Sequence, residues 1–285
     1  MTRYATIIGT GRYVPETIQT NDMLQQQVSA VNPDLAAVVD RFEESSGIVA
    51  AGWRRAIGLR RTSPCAAEDA LHAAGIRPDQ VDMILLGTDT PDYITPATST
   101  VVQHKLGAVN AGTYDIGCAC ASFPTGIATA AGLLATNPWM NYVLVVGVYM
   151  MSKLADPADV TSFFYSDGAG AVVIATDSKP GFISSAYLAD GAYHDYWGLY
   201  AGATDEPASV QAVEAGRTNV RLLQRYPPDV NHENWPRIVR LLAERRRACR
   251  ARHRPGHLHP GAPVVHQACD GGPGPAAGED ALGDG

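Results

Sequence analysis

Cys120 and Cys118 are the residues whose type and spacing could do chemistry. They stand in Asp115-Ile116-Gly117-Cys118-Ala119-Cys120-Ala121-Ser122-Phe123, between a short strand-like run and a helix of small residues. A thiol at the start of a helix meets the partial positive end of the helix dipole, which favours thiolate. Cys120 is therefore a sound place for a covalent nucleophile. The competing reading is that both cysteines are small buried hydrophobes, as most free cysteines are. Metal binding would need further ligands that no neighbouring spacing supplies, so no metal site is expected.

The elements that position these thiols follow from charge and periodicity. From Ile116 to Ser152 no side chain is charged. Pro124 and Asn137-Pro138 are expected to break that stretch into pieces too short for a membrane span. It reads instead as a folded core: strand, turn with a thiol, buried helix, then the strand Tyr142–Gly147. Upstream, residues 5–8 form a β run ending in Gly9-Thr10-Gly11. A dinucleotide-binding fingerprint would want a third glycine at position 14 and a helix opening there; Val14 and Pro15 exclude both. Thr20-Asn21-Asp22 can cap a helix from Met23 onward. A helix over 66–74, a strand over 83–87 and a helix over 98–106 continue the alternation, which indicates α/β layers. Ser166–Ile174 reads as a glycine turn feeding a buried strand. A second α/β unit is expected to begin around Gly181, with one amphipathic helix at Glu233–Leu242.

The bulk numbers suit a large interior. Charged residues are 18% of 285, below the usual ~25%. A net charge of −7 gives no reason to expect nucleic acid as a partner. The N-terminus runs straight into a strand without a signal peptide, and five scattered cysteines form no even framework. Both point to a reduced cytoplasm, with no membrane partner. Residues 245–285 hold six arginines and thirteen Gly plus Pro, and their only large aliphatics are Leu258, Val264, Val265 and Leu282. Such a segment cannot offset its ordering entropy by burial, so an irregular or disordered tail is expected. Val49–Cys65, with Arg54, Arg55, Arg60 and Arg61, likewise has no usable period and is expected to be a basic loop.

Taken together these motifs resemble the β-ketoacyl-acyl-carrier-protein synthase III family of thiolase-like condensing enzymes. The resembling stretches are Ile7–Pro15, Gly75–Gly107, Asp115–Phe123, Tyr142–Gly147, Asp167–Ile174 and Leu188–Tyr193, and they cover most of residues 1–240. The resemblance implies a layered α-β-α-β-α fold of two related halves, the second incomplete. Residues 1–178 would be the half carrying the nucleophile, 179–244 the start of the second half, and 245–285 the irregular tail. It further implies that Cys120 takes an acyl group from acyl-CoA and condenses it with malonyl-acyl-carrier protein, losing carbon dioxide and priming fatty-acid or polyketide synthesis. No cofactor is implied beyond these substrates. Acyl carrier protein is the implied partner and a homodimer the implied assembly, pairing around residues 113–123. The Cys120 N–H can stabilise the thioester oxyanion. In the family, a histidine and an asparagine of the second half serve the enolate.

Several positions depart from the family pattern. Cys118 stands where a small residue is usual and is read as packing. Val160 occupies the place of an arginine that helps to hold CoA. Thr95 precedes Pro96 where a large aromatic often lines the acyl channel; a remodelled loop explains this as well as room for a larger or branched starter does. Val264-Val265-His266-Gln267-Ala268 looks like the family's histidine motif, yet its flanks are neither strand nor helix. Back-translated with GC-rich codons and read one base later, His257–His266 can spell I-F-T-Q-V-R-R-S-S-I; Val49–Cys65, shifted likewise, can join Ala66 in a helical register. On that reading residues after about Arg247 are not family sequence and His266 is an accident of the frame; on the other, His266 is the catalytic histidine. Two rivals share the fold: an acyltransferase passing the acyl group to an alcohol or amine, and an inactive truncated paralogue.

Overall fold

The structure, a computed structural model, describes residues 3–30, 32–52, 59–156, 165–179 and 181–252. Two compact units divide it: the larger takes in the described residues of Met1–Ile183 and Ala189–Val230, the smaller those of Ser184–Leu188 and Asn231–Gly285. Arg54, Arg55, Val160, His253, His257, His259 and His266 lie outside the described residues, and so do the questions resting on them.

The larger unit begins with β1 (Tyr4–Tyr13), β2 (Ile18–Thr20), α1 (Asn21–Ser29), α2 (Ala36–Ser46) and β3 (Ala50–Gly52). Next come α3 (Leu59–Ala74), β4 (Met83–Gly87), α4 (Thr98–Leu106) and β5 (Gly112–Ile116). A 3-10 turn over Ala119–Ala121 leads into α5 (Ser122–Thr136), followed by β6 (Tyr142–Met150) and β7 (Asp167–Asp177). Five strands form one sheet in the order β1-β7-β6-β4-β5. β4 runs parallel to both β5 and β6, while β7 is antiparallel to β6 and β1.

Alternation along the strands decides which layer each residue meets. Ile84 and Leu86 of β4 and Leu144, Val146 and Val148 of β6 point to a core shared with Ala66, Ala67, Ala70 and Leu71 of α3 and Val102 and Leu106 of α4. Leu85, Val143 and Val145 point the other way, to a core with Ala130, Ala131 and Leu134 of α5. A sheet covered on both faces reads as near-continuous aliphatic runs, as these strands do. Each such side chain, fully buried, contributes about 1.5–3 kcal/mol.

Four expectations change. The strand β1 does not end with residue 8 but runs on to Tyr13, which pairs with Ala169. Gly11 there serves helix packing, since a Cβ on it would lie 2.1 Å from the Ala66 carbonyl oxygen of α3. Gly168 and Gly170 likewise lie inside β7 rather than in a turn. Leu59–Cys65 is helix rather than basic loop: Ser63, Ala66, Ala67, Ala70 and Leu71 share one buried face at spacings of three and four. Pro124 does not break the apolar stretch, because it stands in the first turn of α5, where the missing N–H has no intrahelical partner to lose. By length and composition alone Ala119–Thr136 would suffice to cross a membrane; its Gly126, Ala130, Ala131 and Leu134 face is buried.

Beyond β7, β8 (Trp197–Gly198) pairs antiparallel with β9 (Arg221–Leu222), with the short α6 (Val210–Glu214) between them. Tyr193, Tyr196 and Tyr226 pack mutually with ring centroids 5.0–5.7 Å apart. α7 (Asp229–Arg252) takes in the expected amphipathic helix and runs on past residue 245. In the smaller unit Arg245 Nη1 donates to the Ser185 carbonyl at 2.5 Å.

Candidate active site

Because β4, β5 and β6 are parallel, their carboxyl ends deliver three loops to one edge of the sheet. That edge is where open α/β sheets bind their ligands. The loop after β5 carries the thiols. Asp115, at its root, accepts the Thr98 N–H at 2.7 Å and the Ser99 N–H at 2.8 Å, so one carboxylate fixes both the end of β5 and the start of α4. The Thr88 N–H donates to the Ile116 carbonyl and extends the pairing with the loop after β4.

The chain then turns sharply. Cys118 has φ −148° and ψ 48°, and Ala119 has φ 51°, the left-handed region that a Cβ makes costly. Ala121 N–H closes the turn on the Cys118 carbonyl at 3.1 Å. Ser122, buried at the head of α5, accepts the Cys118 N–H on Oγ at 2.9 Å. α5 comes this close to the sheet because position 87 is glycine: a Cβ there would meet the Ser122 Cβ at 2.8 Å. Strain of this kind, held by surrounding bonds, clusters at functional sites, where it presents a side chain. Here it presents Cys120, at the head of the helical segment where N–H groups run out of intrahelical acceptors.

Both Cys118 and Cys120 are exposed, so neither is a small buried hydrophobe. Cys118 is not packing either: its thiol lies 3.6 Å from Thr125 Oγ1, as a weak donor. The other two loops bring residues that the sequence reading passed over. At the end of β6, the Tyr149 hydroxyl donates to Asp89 Oδ2 at 2.8 Å. Burial, then the hydrogen bond and the charge of Asp89, push the Tyr149 phenol far above the ordinary tyrosine range; Cys120 and then Cys118 add in the same direction. Tyr149 therefore stays protonated and donates, and it lies within electrostatic reach of both thiols. A tyrosine ending a valine-rich strand and an aspartate between two threonines carry no motif, so only their meeting across the sheet marks them.

Among the described residues His72, His104, His194 and His232 are exposed, and none is hydrogen-bonded to the thiol turn.

A layered α/β sheet with an exposed thiol on a left-handed turn at its carboxyl edge is a scaffold that can present a covalent nucleophile. Residues 114–191 match the family model described as 3-oxoacyl-[acyl-carrier-protein (ACP)] synthase III, a span that includes the thiol turn, β6 and β7. The β-ketoacyl-[acyl-carrier-protein] synthase III of Laribacter hongkongensis is 34% identical over 67% of this chain and 58% of its own length. That of Clostridium acetobutylicum is 35% identical over 70% of this chain and 58% of its own. Among solved structures, the 3-oxoacyl-(acyl carrier protein) synthase III of Pseudomonas aeruginosa superposes with a TM-score of 0.66 at 29% identity, covering 78% of this chain and 65% of that one. A priming β-ketosynthase of a polyketide biosynthetic pathway gives 0.67 at 26% identity, covering 78% and 64%. By these matches the chain is similar to the β-ketoacyl-acyl-carrier-protein synthase III family, and its fold is thiolase-like. It spans 58% of the length of these two curated relatives.

Proposed function

We propose that Cys120 is the nucleophile of a condensing enzyme of the synthase III type. Its thiolate attacks the carbonyl of an acyl-CoA, the CoA thiolate leaves, and the acyl group rests on Cys120. Malonyl-acyl-carrier protein then loses carbon dioxide. The resulting enolate carbon attacks the Cys120 thioester, which releases the sulfur and leaves a 3-oxoacyl chain on the carrier. The product primes fatty-acid or polyketide synthesis. The observation that carries this reading is the exposure of Cys120 on a strained turn between β5 and α5. On this reading the Cys120 N–H receives the oxyanion of the thioester.

On this reading acyl carrier protein and acyl-CoA are the partners, the assembly is a homodimer and the compartment is the reducing cytoplasm. Support for the compartment comes from Cys65, Cys118 and Cys120, which are free thiols. Incubation with acyl-CoA should add one acyl mass to the chain, and Cys120→Ala should abolish the gain. Acyl mass persisting in that variant, or settling on Cys118, would overturn the assignment. Adding malonyl-acyl-carrier protein separates condensation from transfer to an alcohol or amine, since only condensation releases carbon dioxide.

A further inference from the structure

Asp89 and Tyr149 border the thiol turn, and acyl transfer to Cys120 assigns a task to neither. Tyr149 occupies Asp89 Oδ2. Asp89 Oδ1 makes no hydrogen bond among the described residues and lies 3.6 Å from the place a Cβ on Gly117 would take. Asp89 and the run Gly117–Ala121 are all exposed, and Asp89 Oδ1 lies at the Gly117 end of that run. The loop that carries the carboxylate is held firmly. Thr88 and Thr90 are buried, Thr90 N–H donates to Thr88 Oγ1 at 3.0 Å, and Met150 N–H donates to Thr90 Oγ1 at 3.0 Å. A carboxylate fixed through one oxygen and open at the other is a ready acceptor for an O–H or N–H group. A plain alkyl chain offers that oxygen nothing.

Building on acylation at Cys120, we propose that Asp89, oriented by Tyr149, is a specificity-determining residue that favours acyl groups bearing a hydroxyl or amino group near the thioester over plain alkyl acyl groups. Exposure sets the size of the effect. A buried acceptor left unpaired rejects the wrong substrate by four orders of magnitude or so, whereas water serves an exposed carboxylate when the substrate does not. One hydrogen bond to a charged acceptor then leaves a preference on the order of tenfold.

The experiment compares 3-hydroxybutyryl-CoA with butyryl-CoA, of equal chain length, by the rate at which the full chain gains acyl mass. The hydroxylated ester should react about tenfold faster. Asp89→Ala should bring the ratio of the two rates close to one. Tyr149→Phe should lower the same ratio part of the way by releasing the carboxylate, through a higher KM for the hydroxylated ester. A merely structural role would slow both esters alike and leave the ratio intact. Equal rates in the unaltered chain, or a ratio that survives Asp89→Ala, overturn the inference while acylation itself stands. Failure of both esters to acylate Cys120 overturns the nucleophile assignment and this inference with it.

Discussion

Ala119 carries the local strain of the thiol turn. An alanine at φ 51° bears a steric cost of about 1–2 kcal/mol that glycine escapes, against roughly 0.5–1 kcal/mol of extra chain entropy lost by glycine on folding. Ala119→Gly should therefore stabilise the chain by about 0.5 kcal/mol, read as a higher urea midpoint, and should slow alkylation of Cys120 as the turn loosens. Tyr149 gives a prediction in pH. Its folded-state value is raised above the ordinary 10.0, so its contribution is whole below that pH and is lost as pH rises past it. Urea midpoints at pH 8 and about pH 11 should fall less for Tyr149→Phe than for the unaltered chain. At pH 8 the variant should be weaker by about 1 kcal/mol, the usual worth of one hydrogen bond. An equal alkaline fall in both would remove Tyr149 as the cause.

Two joints between elements position the thiol. Asp115 binds the start of α4 to the end of β5 through both carboxylate oxygens. Asp115→Ala should cost about 1–2 kcal/mol, in line with the loss of a strong N-cap. The joint between α5 and β4 depends on absent volume at Gly87. Gly87→Ala sets a methyl 2.8 Å from Ser122 Cβ and 3.0 Å from the Ser122 carbonyl carbon, neither of which is the end of a flexible side chain. Overpacking of this kind costs about 1–3 kcal/mol, and the head of α5 must shift. Iodoacetamide labelling of Cys120 should slow in this variant; unchanged labelling would show that the thiol turn does not depend on how α5 docks.

At the scale of the whole molecule, the sheet has β5 at one edge, with Tyr114 38% exposed on it. An edge strand presents unpaired backbone groups and pairs readily with another chain. If β5 is the dimer seam, the chain should sediment as a dimer at micromolar concentration and Tyr114→Lys should shift it toward monomer. A well-folded monomer before substitution would refute the seam.

Strand, helix and nucleophile candidates were legible along the chain because each is a local signal. β4 at 83–87 and α4 at 98–106 follow from aliphatic runs and helical spacing, and Cys120 from a thiol at a strand-to-helix turn. Local signals misled where packing outvoted them: glycines 168 and 170 read as a turn, and Leu59–Cys65 read as loop, until α3 lay against the sheet. Strand order and the direction of each loop are set by contacts distant in sequence. Tyr149 and Asp89 stand 60 residues apart and meet only because β4 and β6 are parallel neighbours. The sequence by itself determined the layers and the thiol; the tertiary structure alone decided what surrounds that thiol, because neighbours across a parallel sheet have no spacing for a sequence pattern to record.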